Sequence, residues 1–342
     1  MLSRVANNIY WMGRYLARAA SISRFIEVNF QLMLDQPAAE AEQWEPLVRV
    51  TGDYRLFVDR YGSASRQNVM SFLTFDKDYG NSVLTSLARA RENARTVREH
   101  LPSDLWEAVN TVYHTVRDAG RTGMGAGQDS CALFREIQSS GQLIRGIVEG
   151  LMARGDGYHF FQAGCHLEQA DKTSRLLDVK YFLLLPDVGS VGTPLDLIQW
   201  GALLRSFGAL EIYRRQHGSI TPFNVATFLI LDRCFPRSIL YCLQRTDRAL
   251  RIISGTDLSN HHNRAGEVLS QVCAELCDHS MAEIFQRGLH EFIEDLQGRL
   301  NEIDSAVYVT YFDIQHASEP QEIKPDVFEQ EHFLEDILVP SL

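Results

Sequence analysis

The chain has 342 residues, 45% hydrophobic and 23% charged, an ordinary globular composition with enough length for one large core or two fused ones. Its formal net charge of −11 excludes nucleic-acid binding through a general basic surface. The apolar run Tyr181–Pro186 is far too short to span a bilayer, the first residues lack the pattern of a secretory leader, and the six cysteines show no framework spacing, so a cytoplasmic chain with reduced thiols is expected.

Taken in order, Leu2–Leu34 predicts one long helix ended by Pro37. Trp44–Arg60 predicts a second, closed by Gly62, and Arg66–Phe75 a short third that runs into the turn Asp76–Gly80. Asn81 or Ser82 caps the next helix, which continues to Arg98, and Pro102-Ser103-Asp104 opens another with Ser103 as N-cap. Gly120–Gly127 reads as a connector, since no Gly-Lys-Ser/Thr, preceding strand or Rossmann spacing marks a phosphate loop. Asp129–Arg154 is helical, Gly155-Asp156-Gly157 breaks the chain, and Tyr158–Leu185 is a second long helix closed by Pro186. Thr193 and Thr221 each place a capping hydroxyl before a proline at the first helical position. Pro236 opens Arg237–Ile253, Gly255–Asn260 is a loop, His262–Gln297 supplies one or two helices and Arg299–Phe312 another. Ala306–Phe312 is the one strand candidate, and its neighbours argue for helix. From Glu319 onward Pro320 and Pro325 interrupt the chain and seven acids face Lys324, which reads as a solvated acidic tail or as an amphipathic docking segment.

The two long helices match each other. Gly13, Leu16, Ala19, Ser23 and Arg24 fall on Gly164, Leu167, Ala170, Ser174 and Arg175. With a small change of offset, Trp44, Gly52, Gly62, Phe72, Asp76, Ser82 and Arg95 then match Trp200, Gly208, Gly218, Phe228, Asp232, Ser238 and Arg251. The expected architecture is therefore all-α, an internal duplication with a first repeat at 1–156, a second packed on it at 157–318 and the acidic tail at 319–342. The repeat is much longer than a solenoid unit, so two pseudo-symmetric halves around the paired long helices are expected rather than a stacked array.

Gly13-Arg-Tyr-Leu-Ala-Arg-Ala19, Leu167-Glu-Gln-Ala-Asp-Lys-Thr-Ser-Arg175, the opening Met1–Tyr15, Phe72-Leu-Thr-Phe-Asp76 and Ala90-Arg-Glu-Asn-Ala-Arg95 together resemble the alpha-E domain proteins, bacterial all-helical proteins named for a Glu-Arg pair. The first copy here reads Ala17-Arg18 and the second Glu168-Gln169, so each keeps one member of the pair, and Cys165 stands where the first copy has Arg14. The resemblance implies association with a circularly permuted ATP-grasp protein, and with a transglutaminase-like protein, in amide-bond or peptide ligation. ATP and Mg would then belong to the partner, and this chain would hold no cofactor.

Glu168, Asp171 and Arg175 share one helical face, and packing of the two long helices would bring Arg14 and Arg18 to the acids. Such a stripe reads as a buried ionic network that fixes register. It also reads as a polar cleft in which Arg14, Arg18, Arg24 and Arg175 grip a carboxylate and Asp171 an amine, with Glu168 as acid–base. The leading expectation is an accessory or scaffold subunit of an amidoligase system that contributes to the substrate site. The alternatives are a stand-alone enzyme acting on a peptide or amino acid, and a purely structural binding module. Asp76 and Asp232 read as helix punctuation, and Arg91, Glu92 and Arg95 as local ion pairs. Cys273, Cys277 and His279 lack the second ligand pair that zinc requires, so no metal is expected.

Overall fold

The computed structural model describes residues 1–35, 44–122, 130–183, 194–256 and 263–313. Pro37, most of the Gly120–Gly127 connector, Leu185, Pro186, Thr193, residues 257–262 and the acidic tail from Glu319 lie outside the described residues. Among the described residues there is no strand, and no helix is long and apolar enough to cross a membrane. Met1–Phe312 form one compact unit.

Two long helices, α1 (Ser3–Asp35) and α8 (Asp156–Leu183), lie side by side at its centre. They run in the same direction. The Met1 ammonium meets Asp156 at 3.2 Å at one end, and Phe25 and Val28 line a cleft with Leu176 and Val179 at the other. Their approach is set by glycine. A Cβ on Gly13 would lie 2.6 Å from the Phe161 carbonyl oxygen, and one on Gly164 would collide with the carbonyl oxygen of Tyr10. The contact is reciprocal, each glycine meeting the carbonyl three residues before the other. α8 buries apolar residues all round its circumference, as a helix enclosed on every side must.

The remaining helices are arranged in two matching sets. α5 (Val83–Thr96) and α7 (Ser130–Leu151) pack on α1, while α12 (Ile239–Ser254) and α15 (Leu289–Tyr311) pack on α8. α6 (Ser103–Arg121) joins α5 and α7, and α13 (Arg264–Asp278) joins α12 and α15. The matched residues make matched contacts. Phe72 stacks on Tyr79 and meets Phe57, and Phe228 stacks on Phe235 and meets Tyr213. Arg175 passes over Gly52, and Arg24 passes over Gly208. Trp44 and Trp200 are both fully buried.

Asp76 and Asp232 punctuate helices as expected. Each side chain accepts two backbone N–H groups just beyond it, from Asp78 and Tyr79 at 2.9 and 3.2 Å and from Cys234 and Phe235 at 2.7 and 2.6 Å. Ser82 and Ser238 then cap α5 and α12, and each hydroxyl donates to the backbone oxygen of its aspartate.

Several boundaries differ from the sequence reading. Trp44–Arg60 is two helices, α2 (Glu45–Arg49) and α3 (Tyr54–Tyr61), because Gly52 takes a φ of +84° that a helix does not allow. Arg66–Phe75 is α4 (Arg66–Met70) followed by a π turn. Ser103 is the first helical residue of α6 rather than its cap, and Ser238, not Pro236, starts α12. His262–Gln297 is broken by the capping box of Ser280 and Glu283 and by Gly288, giving α13, α14 (Met281–Arg287) and the start of α15. α15 runs without interruption through Arg299 and Ala306.

Candidate functional site

Five of the six residues singled out in the sequence converge between α1 and α8. Arg18 grips Glu168 side-on, Nε donating to Oε1 at 2.7 Å and Nη2 to Oε2 at 3.0 Å. Arg14 Nε donates to Glu168 Oε2 at 2.9 Å, and its Nη1 faces Asp304 of α15 at 2.5 Å. Lys172 lies between Glu168 at 3.4 Å and Asp171 at 2.8 Å, and Arg175 Nε donates to Asp171 at 2.8 Å. The network continues outward. Arg18 Nη1 donates to Asn81, Asn81 Nδ2 to Asp53 at 3.2 Å, and the Tyr79 hydroxyl to Asp53 at 2.7 Å. Tyr10 donates to Asp304 at 2.7 Å.

The helix pair explains this convergence. Glu168, Asp171, Lys172 and Arg175 recur at helical spacing on α8, and the glycine approach brings the α1 arginines within side-chain reach. Charge decides what the site can do. Four cations, Arg14, Arg18, Lys172 and Arg175, face four carboxylates, Glu168, Asp171, Asp304 and Asp53.

Glu168 is wholly enclosed, with 0% exposure. Burial raises its proton affinity, but Arg18, Lys172 and Arg14 together hold the carboxyl well below the usual carboxylate range. Burial likewise opposes, and Lys172 and Arg175 outweigh, the shift that brings Asp171 to about 2. Both acids are ionised at neutral pH, and both oxygens of Glu168 are occupied. The arrangement is a neutralised clamp between helices.

Arg24 lies elsewhere, half-buried beside Gly208 on the opposite side of the helix pair. Arg95 pairs locally with Glu92, whereas Arg91 donates to Asn110 at 2.6 Å and stacks on Trp106 and Tyr113. No group of three or more metal-ligating side chains occurs among the described residues. Sequence reasoning passed over Lys172, Asp304, Asn81 and Asp53. Lys172 was visible one turn beyond Glu168. The other three come from distant segments and carry no local signal.

A family described as a predicted alpha-helical domain with a conserved ER motif, Alpha-E, matches residues 1–312. The chain belongs to the Alpha-E family. It is also similar to an uncharacterized protein of Mycobacterium bovis and to uncharacterized proteins of two Mycobacterium tuberculosis strains, 22% identical over 324 residues in each case. The match covers 86% of this chain, which spans about 36% of the length of those relatives. No solved structure matches the chain. Arg18 and Glu168, the two residues at the heart of the clamp, both lie within the matched region.

Proposed function

We propose that this Alpha-E protein is an accessory or scaffold subunit of an ATP-grasp amidoligase system, and that its matched sets of helices descend from one duplicated unit. The observation that carries the reading is the length relation. In the mycobacterial relatives the matched region is joined to further chain, making up only 36% of the whole, as expected of a module that works beside a catalytic unit. Resemblance to the family supplies the kind of unit: a circularly permuted ATP-grasp protein, with a transglutaminase-like protein as a further partner. ATP and Mg belong to that partner, in keeping with a chain that carries no phosphate-loop or Rossmann pattern.

In this role the clamp positions helices rather than substrate. A general acid–base must reach the proton it moves. Glu168 is enclosed and fully engaged, which argues against the stand-alone enzyme. The same geometry suits a purely structural binding module, which differs in leaving the partner's turnover unchanged.

Size-exclusion chromatography with light scattering tests the proposal. The full chain is run alone and then with the circularly permuted ATP-grasp protein encoded nearest to it. A joint peak is expected, with ATP-dependent amide formation that requires both chains. Separate peaks across a range of salt and substrate concentrations overturn the proposal, and amide turnover by this chain alone favours the enzyme reading.

A further inference from the structure

The clamp has a counterpart across the helix pair. The positions that match Glu168, Asp171 and Lys172 are Ala17, Ala20 and Ser21, and those that match Arg14 and Arg18 are Cys165 and Gln169. Where the clamp is filled with paired charge, this second place holds a small cleft of about 40 Å³ that opens to solvent. Ala17, Ala20 and Ser21 form one wall.

Three arginines line it: Arg24 of α1, Arg145 of α7, and Arg237 just before α12. None of the three is paired with a carboxylate among the described residues. Glu27, one turn beyond Arg24, is already engaged by Arg135 at 2.9 Å and Gln138 at 2.7 Å. Glu168, on the far side of Cys165, is consumed by the clamp.

The local field is positive throughout. Burial, then Arg145 and Arg24, lower Arg237 to about 10, the Cys242 thiol alone acts the other way, and no carboxylate offsets them. Burial and Arg145 with Arg245 push the neighbouring His166 imidazole down to about 3. Arg237 remains charged at neutral pH all the same. Three guanidinium groups around one cleft, with alanines at the positions that match the acids, repel one another unless an anion enters.

We infer that this cleft, lined by Arg24, Arg145 and Arg237, is a binding site for a small oxyanion carrying two negative charges, a dicarboxylate or a phosphate monoester. Guanidinium forks match the geometry of both groups, and three positive charges favour a dianion over a monoanion. The inference does not depend on the amidoligase reading, because anion binding is measured on this chain alone and partner binding by co-elution.

The test is calorimetric titration and thermal denaturation of the full chain with succinate and with inorganic phosphate, using acetate and chloride at matched ionic strength as comparators. Saturable binding of at least one dianion is expected, with a raised melting temperature. Arg145→Gln and Arg237→Gln should each weaken it at least tenfold. Ala17→Glu, which adds an acid to the cleft wall, should abolish it, and the exposed Arg95→Gln on α5 should leave it unchanged. The tighter of the two probes identifies the ligand class. If neither dianion exceeds chloride, or if binding survives Arg145→Gln and Ala17→Glu in folded protein, the site does not exist. Arg145 is half exposed, so its variant keeps the test valid should Arg237→Gln fail to fold.

Discussion

Arg18 and Glu168, 150 residues apart, bind each other side-on between α1 and α8 at 2.7 and 3.0 Å. Ala17 precedes the arginine and Gln169 follows the glutamate, so neither has a partner of opposite charge next to it in sequence, and one Glu-Arg pair is divided between two helices.

Removing the acid should be costly. Glu168→Gln leaves Arg14, Arg18 and Lys172 buried around a neutral amide, and breaking a buried pair from one side costs about 3–5 kcal/mol. Urea denaturation should show a loss of that order. In a double-mutant cycle, adding Arg18→Met should cost much less than it does in the wild type.

Acid should loosen the clamp. An unfolded aspartate titrates near ~3.9, whereas Asp171 is held at about 2. Its contribution is complete above about pH 4 and is lost as pH falls toward 2, and Glu168, also lowered, adds to the same loss. Urea midpoints should fall through this window, and Asp171→Asn should flatten the fall.

Alkali should act oppositely through Lys180. This ammonium is buried with Asp196 at 3.5 Å, donates to Gln199 at 2.8 Å and lies 5.0 Å from the Trp200 ring centre. Burial lowers it to about 8 despite Asp196, and an unfolded lysine titrates near ~10.4. Between these values the unfolded chain binds the extra proton, so stability should rise with pH. Burial pushes Cys165 up to about 11 and Cys242 and Cys273 up to about 12, which acts the other way over the same range. The Lys180 contribution is therefore read as the difference in urea midpoints between wild type and Lys180→Met, which should shift in favour of the wild type from about pH 7.5 to about pH 10.

The glycine contact makes a prediction of its own. Gly13→Ala and Gly164→Ala each push a methyl group into a backbone carbonyl of the other helix, and such overpacking costs about 1–3 kcal/mol or more. Gly146→Ala, within α7 where an added Cβ meets nothing within 4 Å, should instead stabilise by about 0.5–1 kcal/mol. Thermal melts of the three variants separate close approach from simple helix propensity.

The all-α class, the central helices and the meeting of arginines with Glu168 were legible because they rest on helical spacing and on the match between Gly13 and Gly164. The aspartate punctuation was legible for the same reason, since Asp76 and Asp232 act through residues next to them in sequence. The break at Gly52 was not, because apolar spacing persists across it and only the backbone angle reveals it. Nor was the role of Asp304, which reaches Arg14 from the far end of the chain. Arg24 joined the expected site by its match to Arg175, yet a match across two side-by-side helices places the two residues on opposite sides of the pair.

The division of the Glu-Arg pair also orders events during synthesis. When Arg14 and Arg18 leave the ribosome, the glutamate that will neutralise them follows 150 or more residues behind. At about 5–20 residues per second, that is a wait of roughly 8–30 s. Until Glu168 emerges, α1 must keep its arginines in water, so the final seating of the first helix is set by the translation of the eighth.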